Sequence, residues 1–337
     1  MITKFKKFAE KHQVLTYWLL AILFAIIIIP AALLVFTSFP NFGKDIMEVT
    51  DGKGYNTNIL YSLPIALKVS GGIWFVLVLL AWPATASISA IAASLILKGK
   101  QGVKELFSRF RFWAPEISSK KGLSIWVKAI ILITLIKLVY SFSLNIVSGV
   151  PMSETLKINT NYTIWEIIFI FITCLLFDGG GLMEELGWRG FALPRLQKKY
   201  SPLIASIIVG VIWSFWHIPI KLDLLSSLSG FANAYLFFTF DAILYSIIIT
   251  YFYNKLGGSI LIGVAIHGML NDSPGLRQFF NSDLLKVPET IESLLYAGIC
   301  LIVVLFILLK EGKMLGFKEE NDPEQRLEIY NTELVKE

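Results

Sequence analysis

The sequence predicts an all-α protein, a polytopic bundle of about eight transmembrane helices with both termini in the cytoplasm. The first observation behind this prediction is composition, because 55% of the residues are hydrophobic and only 16% are charged, whereas soluble domains carry about 25% charged residues. The second is a series of apolar runs long enough to cross a hydrocarbon core roughly 30 Å thick. The third is the clustering of lysine and arginine in alternate connections. Together they predict a multi-pass protein of the cell membrane that contacts the lipid bilayer.

The apolar runs define the spans and their connections. Lysine and arginine place the connections at 98–122, 195–202 and 254–258 in the cytoplasm, whereas residues 38–65 are polar and are predicted to form an outer loop. We divide the chain into three parts. Residues 1–163 hold the N-terminal spans and a basic loop, residues 164–309 form a core that includes the last span, and residues 310–337 form a charged cytoplasmic tail. The predicted spans are residues 14–36, 72–97, 126–147, 164–194, 203–220, 232–253, 260–271 and 290–309.

Charge and cysteine content narrow the possible partners. The net charge of +5 is interpreted as loop lysines that face anionic lipid. The sequence has no basic patch with interleaved aromatic residues, so a nucleic-acid partner is not expected. Cys174 and Cys300 both lie in apolar runs, so a disulfide framework is not expected. The sequence leaves the oligomeric state open.

The fourth apolar run ends in a charged motif that contains Glu184, Glu185 and Arg189. A carboxylate at the centre of a bilayer costs about 2.5–3.5 kcal/mol, so two adjacent carboxylates require a reason. Glu185 and Arg189 are four residues apart with the acid first, which is the favourable order for a pair on one helix face. Glu184 is turned about 100° away on the same helix. We therefore predict that Glu184 faces a cavity without sharing the arginine.

Two further spans carry polar residues at a similar depth. His217 lies in the fifth span, and His267 lies in the seventh with Asn271 on the same helix face. Counting from the cytoplasmic turns at 1.5 Å per residue places these groups and Glu185 near one layer of the membrane. An isolated intramembrane histidine is more often a helix–helix hydrogen-bonding residue. The joint occurrence of these residues predicts one shared site.

Three motifs at these positions resemble those of the CAAX-protease and bacteriocin-processing family, also called CPBP or Abi, of intramembrane metalloproteases. Residues 184–189 resemble its EExxxR motif, residues 215–217 a shortened form of its FxxxH motif, and residues 267–271 its HxxxN motif. The resemblance covers about residues 164–275. It implies an endopeptidase of the CAAX prenyl protease 2 type that acts on membrane-associated peptides or proteins. Bacterial members of the family are linked to bacteriocin processing. The implied catalytic residues are Glu184, Glu185, Arg189, His217, His267 and Asn271.

These residue types suit peptide hydrolysis. The reaction needs an activated water molecule and a group that stabilises the tetrahedral oxyanion. We assign Glu184 to the activation of water with His217. Glu185 and its arginine partner would orient the site. His267 and Asn271 would donate hydrogen bonds to the oxyanion, and the tryptophans near the motifs are interpreted as packing residues.

The metal content is left open by the sequence. Glu184, His217 and His267 are a plausible set of zinc ligands. However, the chain has no HExxH motif, and these ligands would come from separate helices. A glutamate-activated water without Zn²⁺ is also consistent with the residues, and we prefer Zn²⁺ only slightly.

Two other functional classes remain open. Buried glutamate and histidine also mark the pathways of proton-coupled transporters. A transporter of this kind is expected to show inverted repeats and paired broken helices, which the sequence does not show. A member of the resembled family could also act as an immunity or scaffold protein that does not cleave. All motif positions are present here, and this favours an enzyme.

Overall fold

The computed structural model describes residues 2–53, 56–155, 162–221, 235–271 and 285–318. Nearly all of these residues are helical, and among them no β-strand is formed; one isolated antiparallel bridge joins Asn58 and Asp178. A π-helix, Leu186–Ala192, lies between α9 and α10, and short 3-10 turns follow α11 and α14. The α-helices are α1 (Ile2–Lys11), α2 (Gln13–Ser38), α3 (Phe42–Val49), α4 (Ile59–Ala66), α5 (Gly72–Ser108), α6 (Ser119–Ser148), α7 (Met152–Thr155), α8 (Ile164–Phe177), α9 (Gly179–Glu185), α10 (Leu193–Gln197), α11 (Pro202–Trp216), α12 (Leu236–Lys255), α13 (Ile260–Leu270) and α14 (Glu289–Glu311).

The predicted spans coincide with apolar helices. Six helices in the described part of the chain are long and apolar enough to cross a membrane, namely α2, α5, α6, α12, α14 and α11 with its 3-10 turn. Two shorter apolar helices, α8 and α13, occupy the predicted fourth and seventh spans. The polytopic helical bundle is therefore confirmed. The sidedness of the connections and the division at 164 and 310 stay predictions, and residues 232–234 of the sixth span and the tail from residue 319 lie outside the described residues.

The second span continues beyond its predicted end. We predicted a loop from residue 98, but α5 runs to Ser108 with a break at Gly99, where φ is 62°. A positive φ is accessible to glycine without a steric penalty, so the chain can change direction there and resume helix. The basic connection at 98–122 therefore begins as a helical extension rather than as a loop.

The fourth span is not one continuous helix, which corrects the prediction. Asp178 has extended backbone angles and ends α8, and its side chain caps α9 by accepting from Gly181 N. The three glycines that follow have low helix propensity, and aspartate is a favoured N-cap residue. The motif then continues through the π-helix, which is a feature often found at functional sites.

Helix α9 lies between α5 on one side and α13 on the other. Glycine permits the close approach, because a Cβ at Gly181 would lie 2.7 Å from the Val264 carbonyl oxygen of α13. The π-helix packs on α5 in the same way, and a Cβ at Gly187 would lie 2.7 Å from the Ala86 carbonyl oxygen. Because α11 packs on α12 beside this core, residues from the three motif regions are brought together.

The segment before α4, part of the predicted outer loop at 38–65, contacts α8 and the start of α9. Lys53 forms an ion pair with Glu166 at the start of α8. Four residues later, the Thr57 carbonyl oxygen accepts from Gly179 N at 2.8 Å. The Asn58 side chain caps α4 and also donates to Thr173 Oγ1. Polar groups of this segment therefore have partners on α8, on α9 and within α4.

Candidate active site

Glu185 is the centre of a buried ionic cluster. Its Oε1 accepts from Arg189 Nη1 at 2.7 Å and contacts His267 Nδ1 at 2.8 Å. The side chains of Glu185 and Arg189 are fully buried, so each charge depends on the other for compensation. Among the described residues, Glu185 Oε2 and the Nε and Nη2 atoms of Arg189 have no hydrogen-bond partner. The cluster therefore retains hydrogen-bonding capacity inside an apolar bundle.

Glu184 has a different environment from its neighbour. Its side chain is only 5% exposed, and its Oε2 accepts from Trp213 Nε1 at 2.7 Å and from Trp188 Nε1 at 3.2 Å. We predicted that Glu184 does not share the arginine and that it faces a cavity. Its two indole donors are neutral, Arg189 contacts Glu185, and the cavity stays a prediction. Trp188 follows Glu184 by one helical turn, so the i,i+4 spacing brings this indole to the carboxylate.

Trp213 connects the two histidines to the glutamates. Its ring centre lies 5.0 Å from that of His267 and 5.9 Å from that of His217. His217 is half-buried at the end of α11, and its Nδ1 lies 2.9 Å from the Trp213 carbonyl oxygen. Because a carbonyl oxygen only accepts, Nδ1 carries the hydrogen and Nε2 of the neutral ring carries a lone pair. The ring also packs against Trp216 and Phe238.

Asn271 lies at the end of α13, where its backbone N–H donates to the His267 carbonyl oxygen. Its side-chain Nδ2 donates to Asp178 Oδ1 at 3.1 Å. A Cβ at Gly180 would lie 2.7 Å from Asn271 Nδ2 and 3.4 Å from His267 Nε2. These two nitrogens therefore face the same small space above the Gly180 backbone.

The structure thus joins Glu185, Arg189 and His267 by direct contacts, and it joins Glu184 to both histidine rings through Trp213. Sequence reasoning treated the tryptophans as packing residues and gave Asp178 no role. The i,i+4 spacing of Glu184 and Trp188 was a usable signal. The contacts of Trp213 and Asp178 connect distant segments, and the sequence contains no comparable signal for them. The catalytic roles assigned to the six residues stay predictions.

The predicted zinc ligands were Glu184, His217 and His267. A zinc site requires three or four donors at about 2.0–2.3 Å from one point. In the part of the chain that the structure describes, no three His, Cys, Asp or Glu side chains are grouped as metal ligands. Glu184 Oε2 accepts from two indoles and His217 Nδ1 contacts a carbonyl oxygen, so Glu184 Oε1 and His217 Nε2 are the atoms that could bind a metal. Zn²⁺ stays a prediction, and no chemical step below depends on it.

Comparisons with known proteins find the same family as the three motifs. Residues 163–272 match the model of the family described as type II CAAX prenyl endopeptidase Rce1-like. The chain is also 31% identical over 135 residues to CAAX prenyl protease 2 of Methanococcus maripaludis. That alignment covers 39% of this chain and 46% of the relative, so the chain spans about half of the relative's length. The resemblance drawn from the motifs is confirmed for this segment.

Proposed function

We propose that this chain, whose residues 163–272 match the model of the Rce1-like family, is an endopeptidase that hydrolyses peptide bonds within the membrane. The observation that carries the proposal is the contact of Glu185 with both Arg189 and His267, directly beside the indole-bound Glu184. Ionisable groups inside a transmembrane bundle are costly and mark functional sites. Here they include the carboxylates and imidazoles that a hydrolase needs.

Glu184 is the proposed general base. Two indole N–H groups fix its Oε2, which leaves Oε1 to accept a proton from a water molecule. A base held in one orientation reduces the reorganisation needed when the water attacks. His217 holds the same water through the lone pair on Nε2, because its Nδ1 hydrogen is directed at the Trp213 carbonyl oxygen. The proton taken by Glu184 then passes to the departing amine nitrogen.

His267 and Asn271 are the proposed oxyanion donors. His267 Nδ1 is directed at Glu185, so the ring presents Nε2 to the space above Gly180. In the imidazolium form Nε2 also carries a hydrogen and donates. Asn271 Nδ2 has two hydrogens, of which one is directed at Asp178. Two donors that converge on one point are the arrangement that stabilises a developing oxyanion.

The proposal is tested with the purified full chain in detergent and a fluorogenic peptide. We expect cleavage by the wild type and a loss of about 10²–10⁴-fold in Glu184→Ala, as is typical when a general base is removed. Glu166→Gln is the matched control, because it removes a glutamate that pairs with Lys53 in the first turn of α8, outside the cluster. The control should cleave like the wild type. Binding without cleavage by the wild type would instead favour the immunity or scaffold alternative.

The relative's name suggests the substrate class. CAAX prenyl protease 2 is the name of the Methanococcus protein, and we propose that this chain also takes prenylated C-terminal peptides at the cell membrane. The test compares farnesylated and unmodified versions of one CAAX peptide in liposomes. A preference for the farnesylated peptide of at least about tenfold in kcat/KM, roughly 1.4 kcal/mol, is expected. Equal rates would contradict the substrate proposal while leaving the peptidase activity in place.

A further inference from the structure

We propose that Asp178 is a positioning residue of this site. Its carboxylate holds the side-chain amide of Asn271, so that the second amide hydrogen points at the space above Gly180. The inference rests on the proposed function, because it assigns a purpose to the orientation of an oxyanion donor. Asp178 is fully buried and lies outside the three motifs.

The Asp178 carboxylate joins three separate segments. Oδ1 accepts from Gly181 N at 2.7 Å and from Asn271 Nδ2 at 3.1 Å. Oδ2 accepts from Thr57 Oγ1 at 2.5 Å. The donors therefore come from the start of α9, from the end of α13 and from the segment before α4. Donors on both oxygens prevent the carboxylate from rotating.

This contact determines which end of the Asn271 amide faces Asp178. A carboxylate only accepts hydrogen bonds, so Asn271 must present its NH₂ group and not its oxygen. The NH₂ group is also the part of the side chain that lies over Gly180, beside His267 Nε2. With the opposite orientation, the amide oxygen would face the oxyanion and repel it. The Asp178 contact selects the orientation that donates.

The alternative is that Asp178 only caps α9. Capping alone predicts that stability and activity change together, and the two roles can be separated by substitution. Asn, Ser and Asp are similarly good N-cap residues. Asp178→Asn keeps an oxygen for both Gly181 N and Asn271. Asp178→Ser keeps a cap for Gly181 N, but its shorter side chain loses the reach to Asn271.

The experiment measures kcat, KM and the thermal midpoint for the full chain with Asp178→Asn and Asp178→Ser, each alone and combined with Asn271→Ala. We expect Asp178→Asn to stay within about threefold of the wild-type kcat. Asp178→Ser should lower kcat by about 10- to 100-fold, below the 10²–10³ typical for deletion of an oxyanion donor, with KM nearly unchanged. The midpoint should fall moderately in both backgrounds, because Thr57 also loses its acceptor. In the Asn271→Ala background, Asp178→Ser should have no further effect on kcat.

A wild-type kcat in Asp178→Ser, or an equal reduction in both backgrounds, would overturn the inference. If Asp178→Ser does not accumulate as folded protein, Asp178→Thr provides a second capping variant for the same cycle. The Asn271 side-chain amide resonances in ¹⁵N-asparagine-labelled protein give a readout that does not need activity. They should move in Asp178→Ser and stay in place in Asp178→Asn. Unmoved resonances in Asp178→Ser would contradict the inference even if the wild type failed to cleave and the proposed function were lost.

Discussion

Two adjacent glutamates of one motif lie in contrasting environments. Glu185 is compensated by charge, because one of its oxygens contacts both Arg189 and His267. Glu184 is held by neutral donors, the indoles of Trp188 and Trp213. Both side chains are buried, so burial alone does not separate their roles. The two residues differ in the contacts that a substitution would remove. At Glu185 the substitution removes the charge partner of Arg189 and His267, and at Glu184 it removes the acceptor of two indoles.

The contrast shows how one short segment can combine stability with reactivity. Glu185 contacts a guanidinium and an imidazole, and removing its carboxylate leaves the buried charge of Arg189 without compensation. The carboxylate of Glu184 is oriented by two indole donors instead, and in the proposed mechanism it is the group that exchanges a proton. We therefore propose that Glu185 has a structural role in this segment and that Glu184 transfers the proton.

The largest expected effect on stability follows from Glu185→Gln. The variant leaves Arg189 uncompensated, and breaking a buried pair costs about 3–5 kcal/mol. The melting temperature or the membrane abundance should fall, and activity should be lost. Adding Arg189→Met removes the stranded charge and should partly restore stability without restoring activity. A Glu185→Gln protein as stable as the wild type would contradict the assignment of a structural role to this pair.

Trp213→Phe tests the hydrogen bond between the neutral indole of Trp213 and Glu184. The ring is largely kept, but the N–H group that donates to Glu184 at 2.7 Å is removed. A hydrogen bond to a charged group contributes about 1.5–3 kcal/mol, so we expect a reduced cleavage rate and a moderate fall in stability. Trp188→Phe is the matched variant, and its longer 3.2 Å contact should make its effect smaller. The reverse order of the two effects would show that the 2.7 Å contact does not fix the base.

Gly263→Ala tests the space around the ionic cluster. A Cβ at this position would lie 2.8 Å from Glu185 Oε2, and overpacking of this kind costs about 1–3 kcal/mol. Gly298→Ala in α14 is the control, because a Cβ there would have no heavy atom within 4 Å. We expect a lower melting temperature for Gly263→Ala alone. Equal melting temperatures for the two variants would mean that the cluster accommodates the extra methyl group.

The smallest effect is expected for Lys53→Met, which breaks the ion pair with Glu166. The two side chains are 17% and 35% exposed, and ion pairs that retain contact with solvent contribute about 0–1 kcal/mol. The thermal midpoint should change little compared with that of Glu185→Gln. A large loss of stability in Lys53→Met would show that the segment before α4 depends on this contact for its position.

Hydropathy predicted most of the fold, since the apolar runs became apolar helices except that the fourth is interrupted at Asp178. The motif residues could be found because charges inside apolar runs need a reason. The break at Asp178 was missed because the fourth run was treated as uniform despite its three glycines. The hydrogen bond between Thr57 and Asp178 could not be predicted from the local sequence pattern, because 121 residues separate the two partners. The indole of Trp213 likewise reaches Glu184 from 29 residues away.

The central claim is that Glu184 is the base and Glu185 the structural partner, and one paired measurement tests it directly. The cleavage rate and the thermal midpoint are measured for Glu184→Gln and Glu185→Gln under identical conditions. Glu184→Gln keeps an oxygen for the two indoles but cannot take a proton, so we predict a rate lower by about 10²–10⁴-fold and a nearly unchanged midpoint. Glu185→Gln should lower both quantities. Full cleavage by Glu184→Gln, or a midpoint lowered as much as that of Glu185→Gln, would contradict the account.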